Sequence, residues 1–394
     1  MRLRRACLVV LGVGALAACG SPARPTLDAA ATAVPPVTAS SSAAPAKARP
    51  APPPLPSAGR VVAAAKTPTP KPKPTAKPAA PAAPRPAAPG GGALVDTSRP
   101  DHVVGTGSPA SCTSAAVVAA VAAGGVVTFD CGPAPVTIPM ARTAKVVNAH
   151  PGLVLDGGGK VTLSGGGVRR ILYQNTCDAK QGYTTSHCQD QDSPRLTVQR
   201  MAFTGGNSTG DTTEGGGGGA IFVRGGRFAV IDSVFTGNRC DSTGPDLGGA
   251  ALRVLSQSQG LPVRISGSRF SGGVCSNGGA ISSIGVSWDI SDSVLTGNQA
   301  IGRGANPAKA GSPGGGSGGA IYLDGNTFTL RLSRVTITGN TANEGGGAVF
   351  FVSNDRTGTA TVSGSTMRDN PSKGFESGGP PGWFFLGARP PSVG

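Results

Sequence analysis

Apolar side chains along the C-terminal half of the chain fall in a recurring frame: one residue, a second at +2, a third at +7, and often Asn at +10. The frame reads Phe228, Val230, Phe235, Asn238, then Trp288, Ile290, Leu295, Asn298, then Leu330, Leu332, Ile337, Asn340. A weaker copy is Ala360, Val362, Met367, Asn370. Two more close on Gly: Val263, Ile265, Phe270 with Gly273, and Leu196, Val198, Phe203 with Gly206 ahead of Asn207. Residues two apart share one face of a strand, so each copy predicts a short strand, a tight turn and a second short strand. Successive copies lie 25 to 42 residues apart.

A second motif interleaves with the first. It reads Gly218-Gly219-Ala220-Ile221, Gly248-Gly249-Ala250-Ala251, Gly278-Gly279-Ala280-Ile281, Gly318-Gly319-Ala320-Ile321 and Gly346-Gly347-Ala348-Val349, at intervals of 30, 30, 40 and 28 residues. Gly-Gly permits a bend close to a neighbouring backbone, and Ala fits the crowded interior beside it. Asn tolerates left-handed backbone and suits a repeated corner, where stacked copies form a ladder. One such coil cannot bury its inner face, but stacked coils make a continuous core. The pattern predicts an all-β, right-handed parallel β-helix of about eight coils over residues 96–394. A β-propeller needs blades of roughly 40–50 residues with antiparallel hairpins, which fits less well.

The ends need covers. Ser111-Cys112-Thr113-Ser114 ahead of Ala115–Ala123 predicts a short capped helix at the N-terminal end, with Val126–Phe129 as the first strand. Trp383-Phe384-Phe385-Leu386 is expected to fold over the last coil.

The net charge of +15 suggests a nucleic-acid partner until it is divided along the chain. Residues 1–95 hold 12 Lys/Arg against one acid, Asp28, whereas residues 96–394 hold 23 against 19. The solenoid is therefore close to neutral, and no basic stripe with interleaved aromatics marks a nucleic-acid partner.

At the N-terminus, Arg2, Arg4 and Arg5 precede the apolar run Leu8–Leu16, too short to span a membrane but suited to export. The run ends in Leu16-Ala17-Ala18-Cys19, which resembles the lipobox of bacterial lipoproteins. That resemblance implies a signal peptide over 1–18, lipidation of Cys19, and attachment to the bacterial cell membrane through the lipid alone. Residues 20–95 carry 19 Pro among Ala, Thr and Lys, a composition that stays extended. Residues 19–95 thus read as a lipid-anchored disordered linker, reaching at most ~240 Å at about 3.1 Å per residue.

Six cysteines remain in the main domain, an even number that reads as disulfides in an exported chain. Pairing in order (Cys112–Cys131, Cys177–Cys188, Cys240–Cys275) is the simplest of the 15 arrangements open to six cysteines. No CxxC spacing and only three His argue for a metal site, so none is assigned.

The Gly-Gly-Ala-Ile motif, together with Phe/Leu/Ile-x-x-Asn, resembles the repeats of the polymorphic outer-membrane proteins of chlamydiae. The broader pattern is similar to the pectin-lyase-like right-handed β-helix superfamily. The stretch from Cys112 through Phe129-Asp130-Cys131-Gly132 to Leu155-Asp156-Gly157-Gly158-Gly159 also resembles secreted bacterial β-helix proteins. Lyase and polygalacturonase relatives use clustered acids, with calcium in the lyases, or Asp-Asp and Gly-His-Gly motifs; the latter two are missing here. No catalytic residue can be carried across.

The remaining candidates lie in loops that interrupt the repeat. Asp190, Asp192, Asp241 and Asp246 are the candidate acids for catalysis, which would need two carboxylates about 5–9.5 Å apart. Tyr173, Tyr183, His187, Asp355 and Arg356 are the candidate binding residues, with Asp178 in the same polar, aromatic stretch as the first three. Solvated turns that use Asp for local hydrogen bonds are the favoured account of each loop taken singly. The expected function is non-catalytic binding of a glycan or envelope surface by an anchored cell-surface protein without a cofactor. A polysaccharide lyase or glycoside hydrolase, the former with calcium, is the alternative.

Overall fold

The computed structural model describes residues 93–212, 216–377 and 379–394. The signal peptide, Cys19 and nearly all of the linker lie outside these residues. The chain winds as a parallel β-helix. Its first face stacks eight strands: Ala144–Lys145, Leu172–Asn175, Ile221–Arg224, Leu252–Val254, Ile281–Ile284, Ile321–Gly325, Val349–Ser353 and Trp383–Leu386. The second and third faces form one 16-stranded sheet, because Gly152–Arg169 and Arg195–Gly206 each run across the corner between them. A short three-stranded sheet of Val274–Cys275, Gln299–Ala300 and Thr341–Ala342 follows the third face. The ladders are parallel; the one between Gly152–Arg169 and Arg195–Gly206 shifts register at Asp156/Val161 and Ser164/Arg169, and the later ones keep one register from coil to coil.

The register places the apolar frame inward. Leu196, Phe228, Val263, Trp288, Leu330 and Ala360 form one column on the second face, and Val198, Val230, Ile265, Ile290, Leu332 and Val362 the next. All twelve are buried. On the third face Phe203, Phe235 and Phe270 stack at 5.0 and 4.8 Å, each pair adding about 0.5–1.5 kcal/mol beyond its burial.

Two corner ladders tie coil to coil. Asn298 Oδ1 accepts the Gly273 N–H at 3.0 Å, Asn340 Oδ1 that of Asn298 at 2.9 Å, and Asn370 Oδ1 that of Asn340 at 3.1 Å. The left-handed backbone lies one residue earlier than expected, at Gly237, Gly297, Gly339 and Asp369, and frees each Asn to point inward. The two copies that close on Gly have a steric cause: a Cβ at Gly206 would sit 2.3 Å from Gly219 O, and one at Gly273 2.0 Å from Gly279 O. The second ladder is of serines. Ser233, Ser268 and Ser293 accept the Met201, Ser233 and Ser268 N–H groups, and Ser365 accepts that of Val335.

The second Gly-Gly copy is displaced by one residue. Leu252 pairs with both Ile221 and Ile281, so Gly249-Ala250-Ala251-Leu252 is the equivalent stretch and Gly248 lies outside it.

Helix α1, Ser114–Ala123, begins at Thr113, whose side chain accepts the Ala116 N–H, and it buries Val117, Ala120 and Val121. It covers the N-terminal end, and a Cys112–Cys131 disulfide pins its start. Cys177–Cys188 closes a loop and Cys240–Cys275 joins adjacent coils, with Cα separations of 5.0 and 4.8 Å. At the other end Trp383–Leu386 is not folded across the last coil. It adds the eighth rung of the first face, with Phe384 and Phe385 stacked on Phe350 and Phe351. Asp156, buried at the corner between the second and third faces, accepts from Arg200, Gln199 and Thr97, while Val95 brackets Gln199.

Candidate functional site

On the first face the residue after each inward Ile, Leu or Val points outward. The register aligns Lys145, Tyr173, Phe222, Arg253, Ser282, Tyr322, Phe350 and Phe384 in one outer column. Such a column would face water, but the loops returning from the third face fold over it. Arg253 donates to Asp246 O and, at 2.5 Å, to Ser282 Oγ. Asn306 reaches Tyr322 and Asp324, and Phe375 packs edge-on against Phe384 at 4.8 Å.

Burial sets the electrostatics beneath this cover. It pushes the Arg253 guanidinium down to about 10. It raises the Asp324 carboxyl, against hydrogen bonds from the Gly325 N–H, Tyr322 and Asn354, and raises the Tyr322 hydroxyl further still. Asp324 is thus committed to holding the 301–316 and 354 loops to the sheet.

The cover opens at the N-terminal end, where the outer column finishes on Lys145. Here a cleft of about 440 Å³ is lined by Thr143, Lys145, Arg170, Tyr173, Asp178, Lys180 and Asp211, among others. A second cleft of about 690 Å³ shares Thr143 and Lys145 and runs beside α1, with Arg142 and Arg169 on its rim and Val118, Ala122 and Val147 supplying apolar surface. Arg170 forms the wall between this site and the core. It pairs with Asp211 at 2.5 Å, donates to Gly217 O and Gly218 O, and lies over the Tyr173 and Phe222 rings. Burial lowers its pKa, with Asp211 working in the opposite direction. Lys145 Nζ sits 5.3 Å from the Tyr173 ring centre.

The candidates from the sequence fall at separate places. Asp178, Tyr183, His187, Asp190 and Asp192 lie on loop 176–194, between the first and second faces, whereas Asp241 and Asp246 lie between the third and first. The two sets of acids therefore flank opposite edges of the first face. Three of the four candidate acids also have structural work: Asp190 accepts the Gln259 N–H, Asp192 pairs with Arg195 and Arg227, and Asp241 accepts the Gly210 N–H at 2.9 Å. Asp355 holds Ser353 and Thr357 at 2.9 and 2.8 Å, and beside it Arg356 takes positive φ. Both lie at the first-to-second edge, five rungs from Tyr173, or about 24 Å at ~4.8 Å per strand.

Tyr173 lines the cleft but is largely enclosed. It is 2% exposed, stacks on Phe222 at 5.5 Å, and donates to Asp178 at 3.1 Å, leaving only its edge at the cleft. Tyr183, by contrast, is 54% exposed on its loop. The sequence reading missed Lys145, Arg170, Asp211, Arg253 and Asp324. Arg253 carried no usable signal, because its place after the inward Leu252 shows only once strand pairing fixes the frame of the Gly-Gly motif.

Among the described residues no three His, Cys, Asp or Glu side chains converge to hold a metal ion, and no helix is long and apolar enough to cross a membrane. The family model of the Chlamydia polymorphic membrane protein repeat matches residues 334–352. That stretch is much of one coil: the third-face strand Thr336–Thr338, the Asn340 corner, the Gly346-Gly347-Ala348 bend and most of Val349–Ser353. No curated protein and no solved structure matches the chain. One coil of this β-helix is therefore similar to a repeat described from chlamydial polymorphic membrane proteins.

Proposed function

We propose that the chain is exported to the cell envelope, anchored through a lipid on Cys19, and that its β-helix binds an envelope glycan without cleaving it. The observation that carries this reading is the open end of the first face, where two contiguous clefts present Arg142, Lys145, Arg169 and Lys180. Cations beside an apolar wall suit a sugar ring bearing a negative group. The acids support the same reading: hydrolysis of a glycosidic bond needs a facing pair of carboxylates about 5–9.5 Å apart, and Asp190, Asp192 and Asp241 are each engaged by a backbone N–H or by arginines. Similarity to a membrane-protein repeat supports placement at the envelope.

Fractionation tests the anchor: Cys19→Ala should move the protein from membranes to the soluble fraction, and retention in membranes would refute lipidation. Incubating the full chain with acidic and neutral polysaccharides, with and without calcium, tests the rest. The expected result is retention on at least one immobilised glycan, weakened by Lys145→Glu, with no new reducing ends and no unsaturated products. Turnover of any polymer, or no retention on any, would overturn the reading.

A further inference from the structure

The outer surface of the second face carries a trough remote from the Lys145 clefts. One concavity of about 630 Å³ is lined by Gly125, Val126, Gly152, Val154, Asp192 and Arg195, among others. A second, of about 190 Å³, is lined by Arg195, Thr197, Arg227, Ala229, Gln257 and Arg264, among others. They share Arg195 and Thr197 and so run into one another. The register sets Val126, Val154, Thr197, Ala229 and Arg264 at one outward position on five successive rungs. Four rung spacings of ~4.8 Å give a floor about 19 Å long, running along the solenoid axis.

Small side chains keep the first four rungs low, and arginines crowd the far end. Asp192 pairs with both Arg195 and Arg227, which places two guanidinium groups side by side with one negative charge between them. Arg264, one rung beyond Ala229, is exposed and has no ion pair among the described residues. The next rung sets Asp289 beside Arg264, so three cations and two acids leave this end of the trough with one net positive charge. Guanidinium groups bind carboxylate and phosphate oxygens through paired N–H donors, and more strongly where ligand and wall exclude water.

We propose that this trough binds a linear polyanionic polysaccharide lying along the solenoid axis, its carboxylate or phosphate groups held by Arg195, Arg227 and Arg264. The length of the floor calls for an oligomer rather than one sugar. Single-stranded nucleic acid fits less well, because the aromatic ring in the lining, Phe228, is buried and turned inward, leaving no platform for a base.

Arg269 lies on the same coil as Arg264 but faces outward from the third face, and it is also exposed. It serves as the control. The full chain would be treated with phenylglyoxal in the presence of polygalacturonate, a phosphomannan, neutral dextran or single-stranded DNA, and modification followed by mass spectrometry at each arginine. A polyanionic glycan should slow reaction at Arg264 at least tenfold and leave Arg269 unchanged, while dextran protects neither. Protection by polygalacturonate alone assigns sugar carboxylates, and by the phosphomannan alone, phosphates. Arg264→Glu should weaken binding at least fivefold relative to Arg269→Glu. Equal protection of both arginines, protection of neither, or stronger protection by DNA would overturn the proposal. These outcomes are separable from retention through the Lys145 clefts, which Lys145→Glu reports.

Discussion

Replacing Asn340 with Ala tests whether the corner ladder holds coils together or only accompanies their stacking. Asn340 is fully buried. Its Oδ1 accepts the backbone N–H of Asn298 at 2.9 Å and that residue's Nδ2 at 2.8 Å, while its own Nδ2 donates to Leu295 O at 3.0 Å and Asn370 Oδ1 at 2.9 Å. Truncation strands the Asn298 N–H in the interior. One stranded donor costs roughly 1–3 kcal/mol, and the emptied volume adds to it, so a loss of about 3 kcal/mol is expected. Thr341→Ala, one residue on and half-buried, should cost less than about 0.5–1 kcal/mol. The assay is urea unfolding followed by tryptophan fluorescence in a Trp383→Phe background. Of the chain's two Trp, that leaves Trp288, which is buried and pairs in register with Leu330 of the coil carrying Asn340. A loss below about 1 kcal/mol, or one no larger than that of Thr341→Ala, would refute an energetic role for the ladder.

Gly273→Asn would restore the repeat's own residue, yet it should lower the melting temperature, because the new Cβ would lie 2.0 Å from Gly279 O; a higher melting temperature would show that the coils can part. Removing Cys240 and Cys275 together should cost about 2–4 kcal/mol by urea titration, and an unchanged midpoint would deny the cross-link a stabilising role. Burial pushes the Asp156 carboxyl up, but hydrogen bonds from Arg200, Gln199, the Gly158 N–H and Thr97 outweigh it and hold its pKa below the usual value. A depressed pKa contributes stability above the unfolded-state value near 3.9, and that contribution is lost as pH falls through the folded value. Asp156→Asn should therefore lower the urea midpoint at neutral pH and flatten its decline below about pH 4; a decline as steep as wild type would count against the assignment.

The strand frame was legible because a two-residue period of apolar positions survives any loop inserted between copies. Phe228/Val230 and Trp288/Ile290 announce their shared columns although the coils between and after them differ in length. The serine ladder was not legible, since a serine directly after an Asp, as at Ser233 or Ser293, reads as an ordinary turn. The displaced motif failed for a similar reason: Gly248-Gly249-Ala250-Ala251 offers two frames, and only pairing with Ile221 and Ile281 chooses between them. Strand alternation alone would turn Tyr322 and Phe350 toward solvent, whereas the returning loops bury both. The acids were the hardest case. Nothing local to Asp192 or Asp246 says which edge of the sheet its loop leaves from, and that decides whether two carboxylates can meet.

The equivalence of Asn298 and Asn340 reaches beyond stability. Excising residues 299–340 would join Asn298 to Thr341 with the corner residue preserved and the strand frame unbroken. Duplicating the same segment would do the reverse. Each whole-coil change moves the far end of the protein by about 4.8 Å, so a chain of this kind can alter its reach, and the number of sites it displays, by unequal exchange between repeats instead of by remodelling a core.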